Sequence, residues 1–393
     1  MRGPLGDAAI APRPAPLDDE QRALKRSVAE FARGTLNGDL EARDREATFP
    51  RELWRRCAEM GLQGLPVPPE YGGLGASATT IAAALQGLGY GCEDNGLIFS
   101  LNAQLWACET PLVRFGSEAQ KRRYLPGLCD GTLIAAHAMS EPGSGSDAFS
   151  LTTTAQRRGE RWIVNGSKTF ATNAPDSDLF LVFATSDRAL GFAGLCAFLI
   201  ERGTPGLDIG PPYSKMGLRS SHLGELFLTD CELPEDALLG SPGAGMAIFN
   251  HSMRWERSLI LAAAVGTMER QLEKALRYAR ERTQFGQPIG AFQAVAHRLV
   301  EMKLRLETAH LMLYRIASLL DDGSATDLDA AMTKLHLSEC LVQSSLDAMQ
   351  VFGGAGYMTE TGLERELRDA LASRLYSGTS EIQRNVIAGH LGL

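Results

Sequence analysis

The sequence lacks the features that mark membrane-spanning, fibrous and disordered proteins. Its longest strongly apolar stretch runs only from Leu259 to Gly266, far short of the roughly 20 residues that a transmembrane helix needs. Hydrophobic residues make up 44% of the 393 residues and charged residues 22%, which are ordinary values for a globular protein. The net charge of −8 argues against a dedicated nucleic-acid-binding protein. We therefore expect a globular protein with no membrane span and no nucleic-acid partner.

Cysteine pairs and metal-ligand clusters are also missing. The seven cysteines form no CxxC pair, and the seven histidines do not cluster at metal-ligand spacing. We expect reduced core thiols in a cytoplasmic protein, with no disulfide framework and no metal site. Residues 1–17 lack the continuous apolar segment of a secretory signal, and their Pro, Ala and Gly content predicts a mobile leader.

Most catalytic signatures are absent as well. The chain has no Walker A sequence, no GxGxxG after a strand, no HExxH and no nucleophile elbow. The glycine cluster GGAGY at residues 353–357 is more typical of a tight turn between helices than of a phosphate loop. These motifs therefore do not identify the chemistry.

Apolar patterning divides the chain into three regions. Residues 18–130 are helical in pattern, and Asp18 or Asp19 can cap the first helix. Residues 131–240 contain short aromatic and aliphatic segments between turn residues, which predict a small antiparallel β-domain. In residues 241–393 apolar side chains step by three or four from Leu299 to Leu320, and a second long helix is predicted from Leu328 to Val351. An α–β–α order of domains follows.

Glu256 interrupts an apolar helical face. Residues 250–266 are predicted to belong to one helix, whose apolar face comprises Phe249, Met253, Leu259, Ile260 and Ala263. Burial there would raise the pKa of the Glu256 carboxyl, which suits a general base near neutral pH. The alternative is a structural carboxylate paired with Arg257 or another cation, since ion pairs also shift pKa values.

The loop Met139–Asp147 (MSEPGSGSD) separates the first helical region from the strands. Its glycines and serines offer backbone N–H groups and hydroxyls that can hold a flavin edge or a phosphate. An ordinary helix-to-strand connection is the alternative.

These segments occur together in the acyl-CoA dehydrogenases, which the chain closely resembles from about Asp18 to its C-terminus. The resemblance is carried by residues 136–147 (AHAMSEPGSGSD), 280–293 (RERTQFGQPIGAFQ), 350–369 (QVFGGAGYMTETGLERELRD) and 376–384 (YSGTSEIQR). It implies an α+β multidomain fold with an N-terminal helical domain, a middle β-barrel domain and a C-terminal four-helix bundle. It also implies FAD and a homo-oligomer, either a tetramer or a dimer.

The resemblance assigns eleven positions to FAD. Those expected beside the flavin ring are Met139, Ser140, Phe170 and Thr172. Those expected to reach the FAD of a neighbouring subunit are Arg282, Gln284, Phe285, Gln350 and Gly354. Thr379 and Glu381 are expected near FAD on the final helix. Many relatives have Trp at the position of Phe170, so ring stacking is kept here while the indole N–H is lost.

The position of the catalytic base departs from the commonest family pattern. In many members the base precedes the GT of the last signature, where this chain has Ser377, which cannot abstract an α-proton. Isovaleryl- and long-chain-type members carry the base in an ER pair on an earlier helix, which Glu256 and Arg257 match. The resemblance thus assigns the base to Glu256, and substrate contacts to Arg257, to Ser146 near the pantetheine, and to the backbone N–H of Ser377.

The implied reaction is FAD-dependent α,β-dehydrogenation of an acyl thioester, in which a base removes the α-proton and flavin N5 takes the β-hydride. The segments NGLIFSLNAQLW and MRWERS are similar to members from antibiotic pathways that oxidise acyl or aminoacyl groups on a carrier protein instead of CoA. Lys121–Arg123 either meets an acidic carrier helix or forms a solvated helix face.

Electrons would pass to an electron-transfer flavoprotein or to oxygen. A flavin oxidase or monooxygenase is one alternative on this fold. A non-catalytic subunit that binds a thioester or a partner is another; Ser377 favours it and Glu256 opposes it.

Overall fold

The computed structural model describes residues 17–393, so the predicted leader, residues 1–17, lies outside the described residues except for Leu17. The N-terminal region is helical. Asp18 begins the first helix with a capping box, since its side chain accepts the N–H of Gln21 while the Gln21 side chain accepts the N–H of Asp18. The helices are α1 (Asp19–Thr35), α2 (Leu40–Glu46), α3 (Arg51–Glu59), α4 (Ala78–Gly91), α5 (Asn95–Gln104), a π-helical turn (Leu105–Glu109), α6 (Thr110–Phe115) and α7 (Glu118–Cys129).

The middle region is a mixed β-sheet. Its strands are β1 (Ala135–Ala138), β2 (Thr154–Arg158), β3 (Arg161–Thr172), β4 (Leu179–Thr185), β5 (Leu195–Glu201), β6 (Leu207–Ile209), β7 (Leu223–Pro234) and β8 (Leu238–Leu239). They are ordered β6-β7-β3-β2-β4-β5-β8, and β1 pairs with β4.

The prediction of a small antiparallel β-domain holds for the other strand pairs of the sheet but not for β1 and β2, which both run parallel to β4. The chain reverses twice between β2 and β4, through β3, so β2 and β4 point the same way. Strand β1 was not predicted because its sequence, AAHA, has no β-branched residue.

The C-terminal region is again helical. Its elements are α8 (Gly245–Leu259), α9 (Ala262–Glu281), the short strands β9 (Thr283–Gln284) and β10 (Gln287–Pro288), α10 (Gln293–Asp321), α11 (Asp327–Phe352), α12 (Leu363–Ala372) and α13 (Ser380–His390). The predicted long helices Leu299–Leu320 and Leu328–Val351 lie within α10 and α11.

The single helix predicted over residues 250–266 is instead broken at Ile260–Leu261. Leu261 has φ −100° and ψ 12°, so Ala263 belongs to α9 and not to the face that carries Glu256. Ile260 and Leu261 are both buried, and apolar periodicity therefore continues across the break and hides it. The break directs α9 onto α4, where a Cβ at Gly89 would lie 1.8 Å from the carbonyl oxygen of Ala263.

The helices from both ends of the chain share one hydrophobic core. Val28 of α1, Leu85 of α4, Val265 of α9 and Leu313 of α10 belong to a single buried cluster, whereas the sheet has a cluster of its own around Phe198. All seven cysteines are buried free thiols. No helix between residues 17 and 393 is both long and apolar enough to cross a membrane, and no group of metal-ligating side chains is found in that range.

Candidate active site

Glu256 lies in the last turn of α8 and is buried, as its place in an apolar face predicts. Its Oε1 accepts a hydrogen bond of 2.5 Å from the hydroxyl of Ser377. Burial raises the pKa of the Glu256 carboxyl, while the bond from Ser377 and the charges of Arg257 and Lys334 act in the opposite direction. Within the described residues Glu256 forms no ion pair with Arg257, whose guanidinium binds the Ser377 carbonyl instead.

Ser377 and Gly378 form a left-handed turn between α12 and α13, with φ of +57° and +85°. The Ser377 carbonyl accepts from Arg257 Nε at 3.2 Å and Gln383 Nε2 at 3.0 Å. The Gly378 carbonyl accepts from Gln383 Nε2 at 2.9 Å and Lys334 Nζ at 2.8 Å. Both carbonyls are thus bound, while the N–H groups of Ser377 and Gly378 have no acceptor in the described part of the chain. These N–H groups are available to an oxygen of a bound molecule.

A buried ion pair holds the loop that begins at Met139 against strand β3. Lys168 Nζ donates to Glu141 Oε1 at 2.8 Å and to the Met139 carbonyl at 3.1 Å. Both side chains of the pair are almost fully buried. Although burial opposes ionisation, the Lys168 charge and bonds from Thr152 and Thr153 lower the pKa of Glu141 to about 2. The pair therefore stays ionised and fixes the loop.

Two segments that carry predicted flavin contacts, the Met139–Ser140 loop and the end of β3, lie side by side. The Ser140 carbonyl accepts from the N–H of Thr169 at 2.9 Å, which sets the Met139–Ser140 loop beside Phe170 and Thr172. Phe170 sits at a bulge of β3 with φ +54° and is 65% exposed. The hydroxyls of Ser140 and Thr172 have no side-chain partner among residues 17–393. An exposed aromatic face beside two uncommitted hydroxyls fits the edge of an isoalloxazine ring.

The residues predicted to reach a neighbouring subunit lie elsewhere. Arg282, Gln284 and Phe285 belong to the exposed β9–β10 hairpin, and Phe285 is 93% exposed. Gln350 and Gly354 are exposed at the end of α11. In the described structure no hydrogen bond or ion pair joins these five residues to Glu256 or to the Met139 loop.

One aromatic contact brings the two exposed segments to the same end of the helical bundle. The rings of Tyr278 and Phe352 stack with centroids 4.0 Å apart. Tyr278 lies four residues before Arg282, and Phe352 two residues after Gln350. The hairpin and the end of α11 therefore form one exposed surface.

The remaining predicted residues occupy three places. Thr379 is the N-cap of α13 and accepts the N–H of Ile382 at 3.3 Å. Glu381 is exposed in the first turn, where hydrogen bonds from its own backbone N–H and from Thr379 lower its pKa. Ser146 is exposed in the loop after Met139. Of the predicted substrate residues the structure thus brings Arg257 and Ser377 to Glu256 and leaves Ser146 apart.

Lys334, Gln383 and the Lys168–Glu141 pair were not predicted from the sequence. A signal for Lys334 did exist: it is the one lysine of α11 and lies at helical spacing from Leu337 and Leu341. The same buried-charge criterion that selected Glu256 would have selected it. For Lys168 and Glu141 no signal was available, since the strand and the loop are 27 residues apart.

The basic run Lys121–Arg123 has acidic neighbours within this chain. Lys121 lies 3.5 Å from Glu118, and Arg123 lies 2.7 Å from Glu201. Arg122 lies 3.8 Å from Glu118. This pattern is typical of a solvated helix face.

Comparison with protein families agrees with the domain order of the structure. Family models for the N-terminal, middle and C-terminal domains of acyl-CoA dehydrogenases match residues 18–132, 136–231 and 243–392. The chain belongs to the acyl-CoA dehydrogenase family. It has the acyl-CoA dehydrogenase fold, and its reaction is the FAD-dependent dehydrogenation of an acyl thioester.

Several relatives of this acyl-CoA dehydrogenase are described as acting on carrier-bound proline. It is 44% identical over 377 residues to the L-prolyl-[peptidyl-carrier protein] dehydrogenase of Serratia sp., covering 96% of this chain and 98% of that protein. It is 54% identical to the prolyl acyl carrier protein oxidase AnaB, with a TM-score of 0.95 over 96% of this chain and all of that one. It is 43% identical to PigA solved with FAD and proline, with a TM-score of 0.94 over 97% of this chain and all of that one.

Proposed function

We propose that this enzyme oxidises a prolyl group held as a thioester on a carrier protein, and that Glu256 is the catalytic base. The observation that carries the assignment of the base is that the buried Glu256 carboxylate accepts a hydrogen bond from Ser377. Ser377 lies in the turn where many family members carry the catalytic Glu, so the Glu256 carboxylate is held at that place. The substrate class is supported by the high identity to proteins described as prolyl-carrier-protein dehydrogenases and oxidases. The non-catalytic alternative is disfavoured because the carboxylate is in place.

The chain's own residues supply proton removal and orientation. An α-proton of a thioester is weakly acidic, so its removal needs a positioned base and stabilisation of the carbonyl oxygen as charge develops there. Glu256, whose pKa is raised by burial, accepts the proton. The free N–H groups of the Ser377–Gly378 turn donate to the carbonyl oxygen, and Arg257 keeps that turn in place. Hydride acceptance from the β-carbon is the chemistry that FAD would supply when bound.

The flavin is held, in this proposal, by the Met139–Ser140 loop with Phe170 and Thr172. Thr379 and Glu381 lie near it at the start of α13. The protein forms a homo-oligomer in which one exposed surface reaches the FAD of a neighbouring subunit. This surface is formed by the β9–β10 hairpin and the end of α11, and its contacts are Arg282, Gln284, Phe285, Gln350 and Gly354. The guanidinium of Arg282 suits a pyrophosphate. Ser146 lies along the path of the pantetheine arm.

The electron acceptor separates two versions of the activity. One relative is described as a dehydrogenase and another as an oxidase. Transfer to an electron-transfer flavoprotein and direct reoxidation by oxygen are therefore both candidates, and peroxide formed during aerobic turnover distinguishes them. The seven buried thiols are compatible with a cytoplasmic enzyme.

Anaerobic flavin bleaching tests the substrate assignment. The purified holoenzyme is mixed with L-prolyl carrier protein, L-prolyl-CoA and butyryl-CoA at equal concentrations, and absorbance near 450 nm is followed. We expect fast bleaching by the prolyl carrier protein and at least tenfold slower bleaching by both CoA thioesters. Faster bleaching by butyryl-CoA would refute the prolyl assignment, and faster bleaching by prolyl-CoA would refute the carrier-protein assignment.

A further inference from the structure

Lys334 is a fully buried lysine of α11 beside the candidate active site. Its Nζ donates to the Gly378 carbonyl at 2.8 Å and lies 5.7 Å from the centre of the Tyr376 ring. Within the described residues it forms no ion pair with a carboxylate. Burial of an ammonium group without a carboxylate partner is costly, and the Gly378 carbonyl and the Tyr376 ring are the contacts that offset this cost.

The carbonyl that Lys334 binds belongs to the turn that positions Ser377. Gly378 has φ +85° and directly follows Ser377, whose own φ of +57° is unfavourable for a residue with a side chain. Such a turn persists only when the surrounding structure fixes it. Ser377 in turn donates its hydroxyl to Glu256 at 2.5 Å. A shift of the turn therefore moves both the hydroxyl that orients Glu256 and the N–H groups beside it.

Lys334 is the only donor to this turn that comes from α11. Arg257 follows Glu256 on α8, and Gln383 lies on α13 just after the turn. The bond from Lys334 thus attaches the turn itself to a third helix, to which Arg374 and Ser380 on either side of the turn are also bound through Glu339. Since α11 runs from Asp327 to Phe352 through the core, it provides a rigid reference for the position of the turn.

We propose that Lys334 is a positioning residue for the Glu256 carboxylate: by binding the Gly378 carbonyl it fixes the turn through which Ser377 orients that carboxylate. This inference rests on the proposed role of Glu256 as the base. Lys334 itself touches neither the substrate nor the flavin in this scheme. Its loss therefore slows proton removal more than it weakens binding of the thioester or of FAD.

The test uses K334M, which keeps the length and apolar stem of the side chain, and K334Q, which keeps an amide donor. K274M is the control, because Lys274 of α9 also donates to another segment, at 3.1 Å to Glu93 in the connection between α4 and α5, away from the turn at Ser377. FAD content, thermal midpoint, the Kd for the carrier-protein thioester and the rate constant of anaerobic bleaching are measured for each. We expect K334M to lower the rate constant by roughly 10- to 100-fold, with FAD content and Kd within about threefold of wild type.

A spectroscopic probe separates proton removal from hydride transfer. The 3-thiabutyryl thioester of the carrier protein can lose its α-proton but has no β-carbon hydrogen to transfer, so its enolate gives a long-wavelength charge-transfer band with FAD. We expect K334M to form this band more slowly, K334Q to recover part of the rate, and K274M to match wild type.

A K334M rate within threefold of wild type, or a loss that K334Q does not reduce, overturns the inference. If K334M does not fold, K334A, which also lacks the donor, replaces it and is judged against K334Q by the same two outcomes. The probe also distinguishes failure of Glu256 as the base from failure of Lys334 as a positioning residue. A band that persists in E256Q refutes Glu256 as the base, whereas a band lost in E256Q but unchanged in K334M refutes only the role of Lys334.

Discussion

The hydroxyl of Ser377 donates to Oε1 of Glu256 at 2.5 Å across a sequence separation of 121 residues. Many acyl-CoA dehydrogenases carry the base itself at the position of Ser377. In this chain the turn contributes a hydrogen-bond donor and α8 contributes the carboxylate. The position of the carboxylate therefore depends on how the turn and α8 are held relative to each other.

Replacement of Glu256 by Gln removes the proposed proton acceptor and keeps the size of the side chain. We expect the rate constant of anaerobic flavin bleaching to fall by at least about 1,000-fold, because a positioned general base contributes roughly 10²–10⁴-fold to rate. FAD should stay bound, since Glu256 is not among the flavin contacts. Glu160→Gln, at an exposed position, is the control. Near-normal bleaching in E256Q contradicts the assignment.

Replacement of Ser377 by Ala removes the hydrogen bond that lowers the pKa of Glu256. The pKa of the carboxyl should then rise further, so a higher pH is needed to ionise the base. The acid limb of the bleaching rate against pH should move upward, and the loss of rate should be larger at pH 6 than at pH 9.

The matched control for S377A is Ser380→Ala. The Ser380 hydroxyl donates to a different carboxylate, Glu339, at 2.8 Å, in the same segment of the chain. Its pH profile should coincide with that of wild type. An unchanged acid limb in S377A would show that the hydroxyl does not act on Glu256.

Replacement of Lys168 by Met leaves Glu141 buried without its cation. Breaking a buried ion pair costs about 3–5 kcal/mol of unfolding free energy, and the Met139–Ser140 loop loses its anchor. We expect a lower thermal midpoint and weaker FAD retention on gel filtration. Arg161→Met, which breaks the exposed pair with Glu232, should change the unfolding free energy by less than about 1 kcal/mol. Equal effects of the two variants would contradict the importance of the buried pair.

Glu109, in the π-helical turn, makes stability depend on pH. Burial raises the pKa of its carboxyl from the usual 4.5 to about 8, although a bond from Gln104 opposes the shift. Because the folded state holds this proton more tightly than the unfolded state, unfolding free energy is lost as pH rises from 4.5 to 8, by about 1.4 kcal/mol per pH unit.

Glu109→Gln removes this titration. Relative to wild type the variant should therefore become more stable as pH rises from 5 to 8, and urea unfolding at the two pH values measures the change. Glu269→Gln is a useful comparison, because that carboxyl is also buried but lies near Lys25. A constant difference between E109Q and wild type at both pH values would contradict the raised pKa.

The sequence predicted those features that depend on local pattern. Apolar periodicity located α10 and α11, and the apolar face around Glu256 predicted its burial. Periodicity could not show the break at Ile260–Leu261, because both residues are buried and the pattern continues through them. The parallel pairing of β1 with β4 and the bond from Lys334 to Gly378 depend on which distant segments meet in the fold. A local sequence pattern does not show which distant segments come into contact.

The hydrophobic core that joins Val28, Leu85, Val265 and Leu313 has a consequence for how the molecule melts. Helices from the two ends of the chain bury each other, and the close contact of Gly89 with Ala263 leaves no room for solvent between them. The first and last of the three family domains are therefore expected to unfold together, and a third buried cluster packs β4 and β5 of the sheet against α6, α7 and α8. Neither helical half is therefore expected to fold as a separate fragment, and calorimetry should not show one separate transition for each of the three domains.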